Sequence, residues 1–375
     1  MKKEKTEKLK VAYLLGSLNR GGTETLLLDV LKSADKAGFD MFFAHRKGGS
    51  LKDDFYRFAE MAGKEIQCLA PRFPYDPLYL WQLRKLLLRK GVQIVHAQQR
   101  IDCQYAWIAT RGTDISVVQT FHGFDYMGGK SARRLVKRTI GKANVNVFVS
   151  EYERQEYVKA FPAAMAAVKS CVVYNGIDFS KIESPQATFE EASPAIEIGT
   201  VGNFVAVRQQ SFLCRFALSL KSADIPFRLY FVGRRNEKEP WRYDECVRFC
   251  EENGLSDCVH FIGSRNDVPQ LLAKWGAFVY ATDHDTFGIA VAEAIASGLP
   301  VFANDHPVMQ EISHNGEWVN LYRSGDVDDL VARFKDYLAQ RETYKHQAVI
   351  SAHAVRNAYD MTRHFEALSN IYDAL

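Results

Sequence analysis

The chain has 375 residues, of which 47% are hydrophobic, 25% charged and 12% aromatic. This length exceeds the roughly 250–300 residues at which one hydrophobic core stops growing, so two domains are expected, and the composition excludes a disordered or low-complexity chain. A net charge of +3, from 48 basic and 45 acidic residues, is too small to indicate nucleic acid as a partner.

Cysteines and apolar segments indicate the compartment. The seven cysteines lack the paired spacing of zinc sites, so reduced thiols are expected. The apolar stretch within Met1–Gly16 is short and leads into a polar loop instead of a cleavage site, and no segment approaches the roughly 20 apolar residues that span a bilayer. A cytoplasmic protein is predicted, with any membrane contact peripheral.

Short runs rich in Val, Ile, Tyr and Phe alternate with helical periodicity, a pattern typical of βαβ units and parallel sheets. In the first half of the chain the predicted strands are Lys10–Leu15, Phe39–Ala44, Glu65–Leu69, Gln93–Ala97, Ile115–Phe121, Asn146–Ser150 and Cys171–Tyr174. A helix is predicted after the first strand, ending at Gly38, and another begins at Pro77 and ends at Gly91.

A polar segment, Ser180–Pro194, interrupts this alternation, and its Pro, Ser and acidic content is typical of an exposed linker. Further strands are predicted at Ala195–Val201, Phe227–Val232, Cys258–Ile262, Ala277–Tyr280 and Pro300–Ala303, followed by helix only from about Asp326. We therefore expect an α/β protein with two doubly wound, Rossmann-like parallel-sheet domains, residues 1–178 and 195–358, and ligands in the cleft between them.

Two glycines, Gly21 and Gly22, lie in the loop between the first strand and its helix, LGSLNRGGTET at Leu15–Thr25. Glycines let backbone N–H groups approach a phosphate, and the amino end of the helix adds a favourable dipole. A tight turn without a ligand is the alternative, because the loop is not a GxGxxG.

A more specific pattern is YATDHDTFGIAVAEAIASGLPVFAND at Tyr280–Asp305. Asp285 and Glu293 are eight positions apart, on the order of 10 Å along a helix, which is comparable with the distance from a donor's sugar to its ribose. Helix-start contacts to the nucleotide sugar and its diphosphate are assigned to Phe287, Gly288, Ile289 and Ala290. Alternatively, Asp285 is a helix cap and Glu293 a solvated helix residue.

This segment resembles the motif E-x-F-G-x4-E-A-x-A-x-G-x-P-V of glycosyltransferase family 4, the retaining transferases of the GT-B fold. The resemblance implies that Glu293 binds the ribose hydroxyls and Asp285 the hydroxyls of the donor sugar. The family usually has Glu at the first position, so Asp285 departs from its pattern. Asp283 and Asp285 also form an Asp-x-Asp, which is the metal-binding motif of the other major glycosyltransferase fold, built on one nucleotide-binding domain. Because two domains are expected here, no bound metal is expected.

The resemblance extends upstream. In Thr200–Leu218, Arg208 takes the place of the family's Lys that supports the leaving diphosphate, and Asn203 stands where Arg is common. A surface arginine is the alternative for Arg208. Arg265 lies in a segment, Phe261–Val268, where relatives position the base.

In the first half, the resemblance matches His122, just after a predicted strand, to the family's His that touches the donor sugar. A structural histidine is the alternative, and His96 is a second candidate, for contact with the acceptor. By the same resemblance, the last helix, 362–375, packs back onto the amino-terminal domain.

A basic segment, Gly129–Lys142, has six basic residues and no acid. A helix would gather five of them on one side: Lys130, Arg133, Arg134, Lys137 and Arg138. In several family members such a helix meets an anionic membrane that holds a lipid-linked acceptor. Contact with the inner face of the cell membrane is therefore expected, with a solvated face as the alternative.

The residues and the resemblance together predict a retaining, metal-independent glycosyltransferase without a cofactor. It would move a sugar from a nucleotide-diphosphate donor to a glycan or lipid-linked acceptor in cell-surface polysaccharide or lipopolysaccharide synthesis. A UDP-N-acetylhexosamine epimerase on the same fold and a non-catalytic nucleotide-sugar-binding protein are the alternatives. An NAD dehydrogenase is disfavoured, because no GxGxxG follows a strand.

Overall fold

The computed structural model describes residues 8–19, 21–183 and 195–375. These residues form two compact units. Unit 1 takes the chain as far as Asp178 together with Tyr359–Leu375, and unit 2 is Phe179–Ala358. Most of the predicted linker, Ser180–Pro194, lies outside the described residues.

Unit 1 is built on a sheet of seven parallel strands. They are β1 (Lys10–Ser17), β2 (Asp40–Lys47), β3 (Glu65–Cys68), β4 (Ile94–Ala97), β5 (Ser116–Phe121), β6 (Val145–Phe148) and β7 (Lys169–Val172). Their order is β3-β2-β1-β4-β5-β6-β7. The winding direction reverses between β1 and β4, which is where a doubly wound sheet opens a crevice at its carboxyl ends.

Helices cover both faces of this sheet, because alternate side chains of a strand point to opposite faces. The helices are α1 (Gly22–Lys32), α2 (Lys52–Met61), α3 (Pro77–Lys90), α4 (Arg100–Ala109), α5 (Lys130–Ile140), α6 (Glu151–Ala160), α7 (Pro162–Ala166) and, from the end of the chain, α15 (Met361–Asp373). Val11 and Tyr13 of β1 belong to the core cluster shared with α1, α2 and α15. Ala12 and Leu14 belong to the cluster shared with α3 and α4.

The helix predicted to end at Gly38 is shorter than expected, since α1 stops at Lys32 and a separate turn of 3₁₀-helix follows at Ala34–Lys36. The helix from Pro77 ends at Gly91 as predicted, with Gly91 in the left-handed conformation that terminates helices. Helix α15 begins at Met361 and is capped by Asp360, whose carboxylate accepts a hydrogen bond from the Thr362 N–H. It contributes Met361, Phe365, Leu368 and Tyr372 to the core of unit 1.

Unit 2 is built on six parallel strands. They are β8 (Ile196–Val201), β9 (Phe227–Val232), β10 (Val259–Gly263), β11 (Ala277–Tyr280), β12 (Val301–Asn304) and β13 (Asn320–Tyr322), in the order β10-β9-β8-β11-β12-β13. Its helices are α8 (Gln210–Ser222), α9 (Trp241–Glu252), α10 (Val268–Leu272), α11 (Ile289–Ala296), α12 (Pro307–Ile312), α13 (Val327–Ala339) and α14 (Arg341–Tyr359).

The predicted α/β class with two doubly wound parallel sheets is confirmed. Sequence analysis missed β13, whose three residues are too few to show a strand period. None of the helices in the described residues combines the length and the apolar composition that a membrane span requires.

Candidate active site

The winding of unit 2 reverses between β8 and β11, and the two predicted charged residues follow these strands. Asp285 lies in the loop after β11, and Arg208 lies in the loop between β8 and α8. Because the carboxyl ends of neighbouring parallel strands meet at one edge, two residues separated by 77 positions come into contact there.

Arg208 and Asp285 form an ion pair, with 2.7 Å between Nη1 and Oδ2. The Tyr280 hydroxyl donates to the same carboxylate oxygen at 2.7 Å. Arg208 Nη1 also donates to Thr282 Oγ1 at 3.1 Å, and its guanidinium carbon lies 5.0 Å from the centre of the Tyr280 ring. The cation and the carboxylate are therefore held by shared neighbours on the same strand end.

Each group of this pair stabilises the charged form of the other. Burial alone would raise the pKa of the Asp285 carboxyl, but the Arg208 guanidinium and the Tyr280 hydroxyl outweigh it and hold the pKa below its usual value. Burial alone would lower the pKa of Arg208, yet Tyr280 and Asp285 raise it above its usual value. Both groups are ionised at neutral pH.

Two alternative interpretations are wrong. Arg208 is not a surface arginine, because its side chain is 22% exposed and ion-paired. Asp285 is not a helix cap, because α11 begins after Gly288 without a side-chain cap. The other Asp285 oxygen accepts from the neighbouring Thr286 N–H at 2.8 Å.

The start of α11 approaches the pair. Gly288 has a φ of +83°, and a Cβ there would lie 2.8 Å from Met309 Cε and 3.7 Å from Asp285 Oδ2, so this position favours glycine. The first N–H groups of a helix have no partner within it, and here they belong to Ile289 and Ala290. Their contact with a diphosphate remains a prediction.

Phe287 and Glu293 occupy different environments around this helix start. Phe287 is 1% exposed, so it belongs to the buried core. Glu293 lies further along α11 and is half-buried, as a residue at the rim of a site would be. The assignment of Glu293 to a ribose remains a prediction.

Two further residues predicted to contact the nucleotide sugar have hydrogen-bond partners in the structure, Asn203 in a neighbouring loop and Arg265 in its own. Asn203 Oδ1 accepts a hydrogen bond from the Arg234 N–H at 3.1 Å. Arg265 forms two hydrogen bonds to Asp267, at 2.8 and 2.6 Å. Neither contact tests the expected role in nucleotide-sugar binding.

The two carboxylates of the Asp-x-Asp in this segment have different partners. Asp283 accepts a hydrogen bond from Gln209 Nε2, while Asp285 is paired with Arg208. In the part of the chain that the structure describes, no group of three or more His, Cys, Asp or Glu residues is placed to hold a metal ion.

In unit 1, His122 follows β5, and its Nε2 lies 2.8 Å from Gln98 Oε1. Burial and the nearby His364 lower the pKa of His122 to about 3, so its ring is neutral at pH 7. Sequence analysis missed Gln98, although it directly follows β4. The predicted contact of His122 with a donor sugar remains a prediction.

The expectation that His96 contacts an acceptor is wrong. His96 is 2% exposed, and its Nδ1 and Nε2 each lie 2.6 Å from a hydroxyl oxygen, of Tyr372 and Thr120 respectively. Both ring nitrogens therefore have hydrogen-bond partners inside the core, and the contact of His96 with Tyr372 joins α15 to the sheet.

The first glycine loop has structural constraints of its own, although Arg20 lies outside the described residues. Gly21 precedes α1 and Gly22 is its first residue. A Cβ at Gly21 would lie 2.6 Å from Glu24 Oε2, so a carboxylate already lies near this helix start. A Cβ at Gly16 would lie 2.0 Å from Gln99 Oε1, so a larger residue there would have to displace the Gln99 side chain. The phosphate contact of Gly21 and Gly22 remains a prediction.

Two family models match the chain in succession: Glycosyltransferase Family 4 over residues 20–181 and Glycosyl transferases group 1 over residues 183–352. EpsF of Bacillus subtilis (strain 168), named as a glycosyltransferase, is 26% identical over 321 residues, 79% of each chain. The lipopolysaccharide core biosynthesis mannosyltransferase LpcC of Rhizobium leguminosarum bv. viciae is 22% identical over 213 residues, 56% of this chain and 60% of that protein.

The fold is similar to that of Alr3699/HepE from Anabaena, crystallised in complex with UDP and glucose. The TM-score is 0.80 at 17% identity, covering 98% of this chain and 100% of that chain. At this identity the likeness shows the fold alone.

The ion pair gives a first prediction. Arg208→Met or Asp285→Asn should each destabilise the protein by about 3–5 kcal/mol, because each leaves a buried charge without its partner. The double variant should lose less than the sum of the two. Urea unfolding measures all three, with Arg228→Met, which removes the more exposed pair with Glu197, as the control that should change stability little. Strictly additive losses would mean that the two charges do not interact.

Proposed function

Because the chain belongs to glycosyltransferase family 4, with a group 1 domain and the GT-B fold, we propose that it is a retaining transferase that uses a nucleotide-diphosphate sugar. Its acceptor is a glycan or a lipid-linked glycan. The observation that supports this best is the Arg208–Asp285 pair beside the start of α11, with Glu293 on the same helix. It places a cation, a carboxylate and helix N–H groups at the carboxyl end of one parallel sheet.

Each group has a distinct task in the proposed reaction. Glu293 accepts hydrogen bonds from the ribose hydroxyls, and Asp285 accepts them from hydroxyls of the donor sugar. Arg208 and the N–H groups at the start of α11 stabilise the charge that develops on the diphosphate as its bond to the anomeric carbon breaks. Preorganised dipoles and charges of this kind usually contribute the largest part of catalysis. The oxygen of the acceptor hydroxyl then bonds to the same carbon from the same face, and its proton passes to the departing diphosphate.

The names of the relatives favour a particular nucleotide in the donor and a particular class of acceptor. The Anabaena neighbour binds UDP and glucose, which favours UDP as the nucleotide here. The Rhizobium relative is a mannosyltransferase of lipopolysaccharide core synthesis, which favours an acceptor from cell-surface polysaccharide.

Glu293→Ala should weaken UDP binding by about 1–3 kcal/mol, because hydrogen bonds from the ribose to a charged group are lost. Isothermal titration calorimetry measures the change. Glu317→Ala is the control, since this exposed carboxylate of unit 2 pairs with His314 and should leave UDP affinity unchanged. Unaltered UDP affinity in a folded Glu293→Ala protein would remove the ribose assignment.

The proposed reaction uses Arg208 and backbone dipoles where other transferases use a divalent cation. Turnover of the nucleotide sugar should therefore persist in excess EDTA. Complete loss of activity that Mg²⁺ or Mn²⁺ restores would show instead that a metal neutralises the diphosphate, with Asp283 and Asp285 as its candidate ligands.

Helix α5 supports a peripheral contact with the inner face of the cell membrane. Its basic side chains are exposed along the helix: Lys130, Arg133, Arg134, Lys137 and Arg138. Met127, just before the helix, is 58% exposed and offers an apolar group beside these charges. Each cation near an anionic surface contributes about 1 kcal/mol, which salt screens within a Debye length.

Neutralising four of these cations should abolish binding to anionic vesicles at low salt. The substitutions to Gln are at Arg133, Arg134, Lys137 and Arg138. The control removes four exposed cations of unit 2, at Lys221, Arg248, Lys274 and Lys335. Vesicle sedimentation with anionic and neutral lipids, at low and high salt, compares the three proteins. Equal and salt-insensitive binding by all three would mean that α5 is a solvated face.

A further inference from the structure

Tyr280, the last residue of β11, contacts the carboxylate of the proposed donor-sugar site from inside the core. Tyr280 is 2% exposed, so it does not itself reach a ligand. Its hydroxyl donates to Asp285 Oδ2 at 2.7 Å. A buried tyrosine hydroxyl needs a hydrogen-bond partner, and here the partner is a residue of the proposed site. The reaction outlined above assigns this tyrosine no task.

This hydrogen bond depends on the departure from the family motif at position 285. Where the motif usually has Glu, this chain has Asp, whose side chain is one methylene shorter. The shorter side chain keeps the carboxylate at the end of β11, within reach of a hydroxyl five positions earlier in the chain. Arg208 Nη1 reaches the same oxygen from the loop between β8 and α8, at 2.7 Å. A strand and a loop therefore hold the carboxylate together.

The Asp285 carboxylate has one acceptor position left. The two oxygens of a carboxylate offer about four lone-pair positions. Oδ2 accepts from Tyr280 and Arg208, and Oδ1 accepts from the Thr286 N–H at 2.8 Å. These are the three hydrogen bonds that the carboxylate accepts within the described residues. It can therefore accept one more, at Oδ1.

The Tyr280 hydroxyl also fixes the direction of that last position. Turning the carboxylate about its Cβ–Cγ bond would break the hydrogen bond from a buried phenol, which is costly. A sugar hydroxyl must then lie on the correct side of its ring to reach Oδ1. The epimer, whose hydroxyl lies on the other side, would leave the carboxylate oxygen without that donor. Sites built to bind one hydroxyl reject analogues that lack it.

We propose that Tyr280 is a positioning residue that makes Asp285 selective for one hydroxyl of the donor sugar. This inference rests on the proposed function. It narrows the hydroxyls assigned to Asp285 to a single one, accepted at Oδ1.

Tyr280→Phe tests the proposal, because it removes the hydroxyl and keeps the ring beside Arg208. One position on Oδ2 then opens, and the carboxylate can accept a sugar hydroxyl at either oxygen. UDP release in the absence of an acceptor measures kcat/KM for UDP-glucose and for its epimers at C2, C3 and C4, each differing at one hydroxyl. For the epimer that the wild type distinguishes most from UDP-glucose, the ratio of the two kcat/KM values should move about tenfold towards one. The Kd for UDP itself should not change.

Tyr337→Phe is the matched control. Tyr337 is 1% exposed, and its hydroxyl donates to the Gly276 carbonyl at 2.7 Å, just before the start of β11. This variant loses a buried hydrogen bond of the same length at the opposite end of the same strand. Urea unfolding should show a similar loss of stability in the two variants, while the donor ratios change in Tyr280→Phe alone.

Three outcomes would overturn the proposal. One is an equal fall in kcat/KM for all four donors in Tyr280→Phe, which would make Tyr280 a structural residue. Another is a set of donor ratios that the substitution leaves unchanged. The third is a wild-type protein that hydrolyses all four donors equally. A wild-type protein that neither binds UDP nor hydrolyses any donor would instead contradict the proposed function, and this inference with it.

Discussion

The ion pair between Arg208 and Asp285 is the interaction on which the proposed chemistry depends. Removing two charges from water is expensive, and their attraction offsets that cost only when further hydrogen bonds complete the geometry. Tyr280 and Thr282 supply those bonds from the end of β11 and the residues after it. The pair is therefore a fixed charged feature of the sheet edge, oriented before any ligand arrives.

A fixed pair suits a reaction that separates charge. A guanidinium whose partners already orient it loses little freedom when it meets a diphosphate, and charge stabilisation that needs no rearrangement is the most effective kind. Gly288, in the left-handed conformation, directly precedes α11, and a Cβ built on it would lie 3.7 Å from Asp285 Oδ2, so the start of the helix lies beside the carboxylate.

Much of this architecture could be predicted from the sequence, because βαβ units have a strong local pattern. Every described strand except β13 was predicted, and the motif with Asp285 and Glu293 located the loop and helix of the proposed nucleotide site. The short β13 has no local period to detect, since its pairing with β12 defines it. The end of α1 was placed too late, because apolar spacing continues past Lys32 into a separate turn.

Contacts between positions that are distant in the chain could not be predicted from the sequence. No spacing shows that Arg208 meets Asp285, or that Tyr372 occupies a nitrogen of His96 from 276 positions away. The hydrogen bond of Tyr280 depends on the carboxylate beside it, and a tyrosine in a buried strand has no distinguishing pattern. Such features arise from packing, and only coordinates show them.

The most direct measurement is a crystal structure of the protein with UDP, supplied at a concentration that saturates the site. The account predicts that the ribose hydroxyls lie within hydrogen-bond distance of the Glu293 carboxylate and that the diphosphate contacts Arg208 and the N–H groups of Ile289 and Ala290. UDP bound elsewhere, or with its diphosphate away from the start of α11, would contradict it.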